Sequence, residues 1–130
     1  MARRIQHFSN HLQPMFVSAG FLREGDVEVE LMEGGVAVVR LNKGKVNTFD
    51  TAMGNDLNEA LDMCRTNDRV TSVVFTSKNP KVLSGGIDLG VVYEPEENEF
   101  KELWRTFESA TKNMYTMNKP VVAAVCGFVL

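Results

Sequence analysis

A regular pattern of apolar and polar positions begins near residue 27. From residue 27 to 41 the two kinds of side chain alternate, break at Gly34-Gly35 and resume with a β-branched run. Alternation with a period of two is typical of strands, and the glycine-containing break predicts a hairpin. Apolar side chains then recur at helical spacing, which predicts an amphipathic helix over residues 51–66. The loop before this helix offers three N-cap candidates, Asn47, Thr48 and Asp50.

A further strand and a longer helix follow, separated by a glycine-rich segment. The run VTSVVFTS predicts a buried strand, and LSGGIDLG at residues 83–90, hereafter the glycine loop, comes after it. The apolar run at residues 121–130, beyond Pro120, predicts another buried strand. The order β, β, α, β, α, β predicts the α/β class, with right-handed crossovers and a largely parallel sheet. The helix face predicted to be core consists of Phe100, Leu103, Trp104, Phe107, Ala110, Met114 and Met117.

Composition and charge exclude several classes of function. The 130 residues suffice for one domain with a modest core, and a net charge of −3 without a basic stripe excludes a nucleic-acid partner. The longest wholly apolar run is about half the length of a membrane-spanning helix, so no membrane span is predicted. Neither Cys64 nor Cys126 has a Cys or His at ligand spacing, which predicts buried, reduced thiols. The pair His7 and His11 lacks a third ligand, so no metal site is predicted.

The first 23 residues differ in charge from the rest of the chain. They hold Arg3, Arg4 and Arg23 but no acidic residue, and apolar residues recur in them every three or four positions. This pattern predicts a mitochondrial transit segment over residues 1–25, with a disordered or merely amphipathic tail as the alternative. Residues 26–130 then form the folded domain.

Familiar catalytic and phosphate-binding motifs fail at specific positions. Gly44-Lys45 resembles the end of a P-loop, but valines stand where the first Gly and the final Ser or Thr are required. No G-x-G-x-x-G occurs, and both histidines precede the folded domain, so no Ser-His-Asp set can be assembled from it. The acidic run at residues 94–99 predicts a solvated helix start.

The glycine loop retains a chemical interpretation. Gly85 and Gly86 let the backbone turn tightly and approach a ligand, so the amide N–H groups around Ile87 can face a cleft. A fixed N–H stabilises the negative charge that develops on a carbonyl oxygen, as in an oxyanion hole. A plain strand-to-helix turn would use the same glycines, so the spacing alone leaves both interpretations open.

Four segments together resemble, in order and at the right intervals, the N-terminal half of the crotonase (enoyl-CoA hydratase/isomerase) superfamily. They are VAVVRLNKGKVNTFD, the helix after it, VTSVVFTSKNPKVLSGGIDLG and MNKPVVAAVCG, and the resemblance runs from about residue 27 to residue 127. It implies an α/β, crotonase-like ββα spiral fold, truncated after the N-terminal repeats. Within the superfamily, VLSGGIDL and VNTFD look most like the F-S-A-G-L-D-L and P-V-N-S-L segments of mitochondrial Δ3,Δ2-enoyl-CoA isomerases.

The resemblance also implies roles for individual residues. The backbone N–H of Ile87 would be one of two donors to the thioester carbonyl oxygen, with Gly85 and Gly86 shaping the approach. Asp88 and Leu89 would flank the acyl-CoA pocket. The segment expected to lie along the CoA moiety, largely through its backbone, is Lys45, Val46 and Asn47.

The chemistry implied by the resemblance is thioester enolate stabilisation. In an isomerase of this kind, one glutamate takes a proton from C2 of a 3-enoyl-CoA and returns it at C4. Coenzyme A is part of the substrate, and no other cofactor is implied. The implied partners are an acyl-CoA thioester and, for full-length members, the other subunits of a homotrimer. The implied location is the mitochondrial matrix, with the peroxisome or cytoplasm as alternatives.

Family members are longer and continue N-G-x-x-x-G-G where this sequence reads Cys126-Gly127-Phe128-Val129-Leu130. In them this segment supplies the second oxyanion donor, and the catalytic glutamates and trimer-forming helices follow. The 130-residue polypeptide is therefore expected to have no isomerase activity alone. Two other functions stay open: an enoyl-CoA hydratase, which uses two glutamates, and a non-catalytic module that binds acyl-CoA or full-length subunits.

Overall fold

A computed structural model describes residues 17–130 of the chain. Within this part, strands β1 to β3 precede the first helix, and short strands alternate with helices after it. The elements are β1 Ser18–Arg23, β2 Val27–Met32, β3 Val36–Leu41, α1 Thr51–Thr66, β4 Ser72–Ser77, β5 Val82–Ser84, α2 Leu89–Tyr93, α3 Glu97–Tyr115, β6 Val121–Ala123 and β7 Phe128–Val129. None of these helices is long and apolar enough to cross a membrane.

The main sheet has the strand order β1-β2-β3-β4-β6, and β5 pairs with β7 in a separate two-stranded sheet. Strand β2 pairs antiparallel with both β1 and β3, whereas β4 pairs in parallel with both β3 and β6. The predicted hairpin is confirmed, but the prediction of a largely parallel sheet is wrong, because the sheet is mixed. Short turns between β1, β2 and β3 permit only antiparallel pairing, and the long segments that contain α1 and α3 permit parallel pairing.

The hydrophobic core lies between this sheet and α1. The predicted helix at residues 51–66 is confirmed, and its buried face includes Met53, Leu57, Leu61 and Cys64. Fully burying a side chain such as that of Leu61 contributes about 1.5–3 kcal/mol. Burial raises the pKa of the Cys64 thiol to about 11, so this thiol stays protonated at neutral pH and acts as a core residue. Cys126 is also a free thiol but is only partly buried.

The contact between α1 and α3 is unusually close at one point. A Cβ atom added to Gly54 would overlap the Oγ1 and Cβ atoms of Thr106 and approach the ring of Phe49 to 3.0 Å. The Asn58 amide nitrogen donates to the carbonyl oxygens of Gly54 and Thr106, at 2.9 Å and 3.1 Å. The missing side chain at position 54 thus lets the two helices come together and share a polar contact.

Strand β1 departs from the prediction. The charge pattern placed residues 1–25 in a tail, yet residues 18–23 pair with β2 along the edge of the sheet. Arg23 also donates to the carboxylate of Asp56 in α1 at 2.8 Å and to the carbonyl oxygen of Val27 at 2.6 Å. Pairing with a neighbour, and not a side-chain pattern of its own, makes this segment a strand. The residues that suggested a transit segment, and the pair His7 and His11, lie outside the described residues, apart from Arg23.

The prediction of one buried strand over residues 121–130 is wrong. The run divides into β6 and β7, which belong to different sheets, and Val122, Val125 and Phe128 are 61%, 63% and 56% exposed. Gly127 separates the two strands with a φ of +64°, and any side chain there would collide with the backbone of Lys81. A continuous apolar run therefore does not form one extended segment.

The second long helix, α3, matches the prediction in position but only partly in burial. Leu103 and Ala110 are buried, whereas Trp104 and Phe107 remain 38% and 37% exposed. The acidic residues before and within its first turn are exposed, which confirms the predicted solvated helix start. The helix therefore presents part of an aromatic face to the cavities near the glycine loop.

Candidate functional site

The glycine loop connects the end of β5 to the start of α2. Asp88 is the N-cap of α2, and its Oδ1 atom accepts from the Gly90 N–H at 2.9 Å. Gly86 has a φ of +80°, a left-handed conformation that residues with a side chain adopt at a cost. The sequence prediction that a glycine is needed here for the turn is confirmed at Gly86.

The loop pairs with the segment before α1 in a parallel bridge between Phe49 and Ile87. The Phe49 N–H donates to the Gly86 carbonyl at 2.8 Å, and the Asp88 N–H donates to the Phe49 carbonyl at 2.9 Å. In parallel pairing, a residue flanked by two such bonds turns its own N–H away from the partner strand. The Ile87 N–H is therefore directed away from Phe49.

The other three amides at residues 85–88 have acceptors. The Gly85 N–H donates to the Val46 carbonyl at 2.6 Å, and the Gly86 N–H donates to the Ser84 hydroxyl oxygen at 3.1 Å. Within residues 17–130, no acceptor bonds the Ile87 N–H. A partly buried amide donor without a partner costs free energy unless water or a ligand satisfies it, so this N–H can serve a ligand oxygen.

Ile87 lines a cavity of about 530 Å³. Its lining contains no titratable side chain from the described part of the chain, so these residues can donate a hydrogen bond but cannot act as an acid or base. A fixed N–H that faces a mostly apolar cavity would stabilise a developing oxyanion. The lining residues are Phe49, Ser84, Gly85, Gly86, Ile87, Leu89, Phe107 and Leu130.

A second, more enclosed cavity of about 270 Å³ adjoins the first. The two share Phe49, Ser84 and Phe107, and the rings of Phe49 and Phe107 meet edge to face at 5.4 Å. The other lining residues are almost all apolar, which suits an alkyl chain. These residues are Leu41, Asn47, Met53, Leu57, Phe75, Leu83, Ala110, Thr111, Met114 and Val129.

Asn47 is a structural residue in this site. It is 2% exposed and has a φ of +50°. Its amide nitrogen donates to the Ser77 hydroxyl at 2.8 Å and to the Leu83 carbonyl at 3.0 Å, and its Oδ1 accepts from the Lys43 N–H at 2.7 Å. All of these hydrogen bonds of the Asn47 side chain are made within the protein, and they connect the loop before α1 to the end of β4 and to β5.

The two preceding residues, Lys45 and Val46, are exposed beside the glycine loop. Their carbonyl oxygens already accept hydrogen bonds, from the Asn79 side chain at 2.9 Å and from the Gly85 N–H at 2.6 Å. Leu89 is 76% exposed at the rim of the cavity. Of these three residues only Leu89 lines the cavity, and the free surfaces of Lys45 and Val46 are side chains and amide groups.

Asp50 fixes the start of α1 close to the same loop. Its Oδ1 accepts from the Met53 N–H at 2.8 Å, and its other oxygen accepts from the Lys43 ammonium group. Burial alone would raise the pKa of Asp50, but these hydrogen bonds and the Lys43 charge outweigh it and hold the pKa below its ordinary value. Of the three predicted N-cap candidates, Asp50 is the one that caps the helix.

For three residues that line the site, the sequence predicts no role in it. The sequence pattern gives Phe49 no role, assigns Phe107 to the core and does not single out Ser84. A Ser two residues before a Gly is a recognised local pattern, because its hydroxyl can accept from the backbone N–H of residue i+2. That signal is present for Ser84, whereas the approach of Phe107 depends on tertiary packing.

A larger polar groove of about 710 Å³ lies between α1 and α3. It shares no lining residue with the cavity beside Ile87 and is open to solvent. No three side chains of the metal-binding types form a cluster anywhere in residues 17–130. The cavity beside Ile87 is therefore the better candidate site, although it is smaller.

Comparisons with known proteins identify relatives of this chain. The chain is 27% identical over 93 residues to the mitochondrial enoyl-CoA delta isomerase 1 of Mus musculus, a match covering 72% of this chain and 32% of that protein. The structure of human mitochondrial delta3-delta2-enoyl-CoA isomerase superimposes with a TM-score of 0.76 at 26% identity, over 79% of this chain and 40% of that one. A probable enoyl-CoA hydratase of Mycobacterium tuberculosis gives a TM-score of 0.69 at 31% identity, over 77% and 41%. The chain spans about a third of the length of the curated relatives it matches.

The family model described as enoyl-CoA hydratase/isomerase matches residues 32–130, about three quarters of the chain. These residues include both segments that build the loop around Ile87. The crotonase-like α/β fold implied by the resemblance is confirmed, with only part of the family's domain covered. We conclude that this chain belongs to the enoyl-CoA hydratase/isomerase family of the crotonase superfamily.

Proposed function

We propose that this chain is the N-terminal, acyl-CoA-binding part of a Δ3,Δ2-enoyl-CoA isomerase that acts in the β-oxidation of unsaturated fatty acids. The observation that carries the proposal is the Ile87 N–H, which has no acceptor within residues 17–130 and belongs to a residue lining an apolar cavity. The names of the mouse and human relatives support isomerisation and a mitochondrial location. The substrate is an acyl-CoA thioester, and the assembled enzyme is a homotrimer in the mitochondrial matrix.

In the proposed mechanism, the thioester carbonyl oxygen accepts from the Ile87 N–H. A glutamate removes a proton from C2, and the negative charge of the resulting dienolate collects on that oxygen. The same glutamate then delivers the proton to C4, which moves the double bond from position 3 to position 2. The N–H contributes because its bond to the oxygen strengthens as the charge develops.

The glutamate and a second donor must come from residues other than those that line the cavity here. A missing general base costs roughly 10²–10⁴-fold in rate, and a missing oxyanion donor costs roughly 10²–10³-fold. The 130-residue polypeptide is therefore expected to bind 3-enoyl-CoA without converting it. Turnover at a rate typical of enzymes, measured with the pure polypeptide, would overturn this division of roles.

Binding and hydrogen bonding can be measured separately in the polypeptide. Calorimetry with a 3-enoyl-CoA gives the affinity, and isotope-edited infrared difference spectra of a ¹³C-labelled thioester report the carbonyl stretch. We expect binding together with a carbonyl stretch lower than that of free substrate, because the Ile87 N–H weakens the C=O bond. Absence of binding, or binding with an unshifted carbonyl, would contradict the proposal.

The donor itself can be removed by the substitution Ile87→Pro, since proline has no N–H. The carbonyl shift should disappear while circular dichroism stays that of the unmodified chain. The matched control is Glu97→Pro at the first position of α3, where proline is well tolerated and the cavity is not involved. An equal carbonyl shift in both variants would show that another group polarises the thioester.

Two alternatives have specific observations in their favour. The 31% identity to a probable enoyl-CoA hydratase favours hydration of a 2-enoyl-CoA, which needs two glutamates. The lack of a titratable side chain among the described residues that line the cavity favours a non-catalytic acyl-CoA-binding module. Assaying an enzyme in which this chain is joined to the segment that supplies the glutamates, with 3-enoyl-CoA and with 2-enoyl-CoA, separates the three, since only the module turns over neither.

A further inference from the structure

The Ser84 side chain in the glycine loop makes two hydrogen bonds to the backbone. The Ser84 hydroxyl oxygen accepts from the Gly86 N–H at 3.1 Å and donates to the Asn47 carbonyl at 3.2 Å. Asn47 is in turn held by the Ser77 hydroxyl and the Leu83 carbonyl. A chain of hydrogen bonds thus runs from the buried end of β4 to the amide that directly precedes Ile87.

These hydrogen bonds occupy the one amide beside Ile87 that has no backbone acceptor within the described residues. Gly85 and Asp88 donate to backbone carbonyls, so their N–H groups are unavailable to a ligand. Among residues 17–130, Gly86 has no backbone acceptor, and the Ser84 hydroxyl occupies its N–H. Without that hydroxyl, Gly86 and Ile87 would both present unpaired N–H groups, and the peptide between Gly85 and Gly86, directly before the one that carries the Ile87 N–H, would lose one of its restraints.

We propose that Ser84 is a positioning residue whose hydroxyl occupies the Gly86 N–H and thereby aims the Ile87 N–H at the thioester oxygen. This inference rests on the proposed function for its catalytic meaning. Ser84 lines both cavities, so the hydroxyl lies close enough to the substrate for its orientation to matter. Oxyanion stabilisation requires a donor whose direction is fixed before the charge develops, and this hydrogen bond supplies part of that restraint.

The test compares Ser84→Ala with a matched Ser→Ala change elsewhere. Ser18 makes the same local contact, since its hydroxyl oxygen accepts from the Gly20 N–H at 3.2 Å, but it lies in β1 outside both cavities. The conservative variant Ser84→Thr restores a hydroxyl. Two readouts are used: NMR amide exchange of the unliganded chain, and the infrared shift of a bound ¹³C-labelled 3-enoyl-CoA thioester.

In Ser84→Ala, exchange of the Gly86 amide should accelerate about five- to tenfold, the ratio expected for one lost hydrogen bond. The carbonyl shift should fall by at least about half while the dissociation constant changes less than about threefold, because alignment is lost and the apolar contacts remain. Ser84→Thr should recover both values. Ser18→Ala should leave the carbonyl shift intact.

An unchanged Gly86 exchange rate or an unchanged carbonyl shift in Ser84→Ala would overturn the proposal, as would an equal loss of shift in Ser18→Ala. Failure of the proposed function is a different result: the unmodified chain then binds no acyl-CoA. In that case Ser84 has no catalytic positioning role either. The exchange rate of the Gly86 amide still shows whether the Ser84 hydroxyl bonds the Gly86 N–H.

Discussion

Replacing Gly86 by alanine tests the geometry of the glycine loop without deleting a hydrogen-bonding group. Gly86 has a φ of +80° and is held by bonds at both its N–H and its carbonyl. A left-handed backbone costs a residue with a side chain about 1–2 kcal/mol more than it costs glycine. The added Cβ has room, since its nearest neighbour is the Leu130 Cβ at 3.4 Å. We therefore expect Gly86→Ala to lower the free energy of unfolding by about 1–2 kcal/mol through backbone strain alone.

Gly20→Ala provides the matched control for this strain. Gly20 has a φ of +121°, bonds the hydroxyl of a serine two residues earlier, and has nothing within 4 Å of an added Cβ. Urea unfolding, followed by tryptophan fluorescence, should show that both variants lose stability. Only Gly86→Ala should reduce the infrared shift of a bound thioester, because it relieves its strain by turning the peptide that carries the Ile87 N–H.

Two results would contradict the expected effects of Gly86→Ala. If Gly86→Ala unfolds at the same urea concentration as the unmodified chain, Gly86 does not adopt a strained conformation. If stability falls while the carbonyl shift is unchanged, the conformation of Gly86 does not control the direction of the Ile87 N–H.

Two further predictions concern the elements that support the site. Gly54→Ala should lower the free energy of unfolding by about 1–2 kcal/mol, because overpacking against Thr106 outweighs the helix preference of alanine. Urea unfolding measures this, and a gain in stability would contradict the close contact of α1 and α3. Because the folded pKa of Asp50 is lowered, its carboxylate stabilises the fold above about pH 4, and this contribution is lost as the pH falls below that value. Asp50→Asn keeps a good N-cap but loses the charge pair with Lys43. The unfolding free energy of this variant should therefore depend less on pH in that range. If the unfolding free energies of both proteins change equally as the pH is lowered, Asp50 has no such role.

Helices and turns are predicted well where the sequence pattern that specifies them lies within the element itself. The helix over residues 51–66 has the observed bounds, because a capping residue and a run of apolar side chains at helical spacing coincide there. The glycine pair predicts a tight turn for the same reason, since the conformation of Gly86 is a property of that residue and its neighbours. The segments that resemble the superfamily also indicate the correct family, because each is a continuous stretch of sequence and their order along the chain is itself part of the pattern.

Elements that depend on a distant partner are predicted poorly. Strand β1 exists because its backbone pairs with β2, and nothing in its own sequence alternates as strand residues usually do. The apolar run at residues 121–130 suggests burial, but hydrophobicity alone does not show that Gly127 divides it between two sheets. The predicted burial of the aromatic face of α3 is too high because exposure depends on which segments cover it.

Local sequence signals specify the helix over residues 51–66, the tight turn at Gly85 and Gly86 and the family. Tertiary packing decides that, among the amides at residues 85–88, the Ile87 N–H is the one without an acceptor within the described residues. That choice requires Val46, Phe49 and Ser84 to occupy the groups around Ile87, and the first two come from a loop more than thirty residues earlier in the chain. Hydrogen bonds between distant segments are formed only when the fold brings them together, so the availability of one N–H is a property of the packed structure.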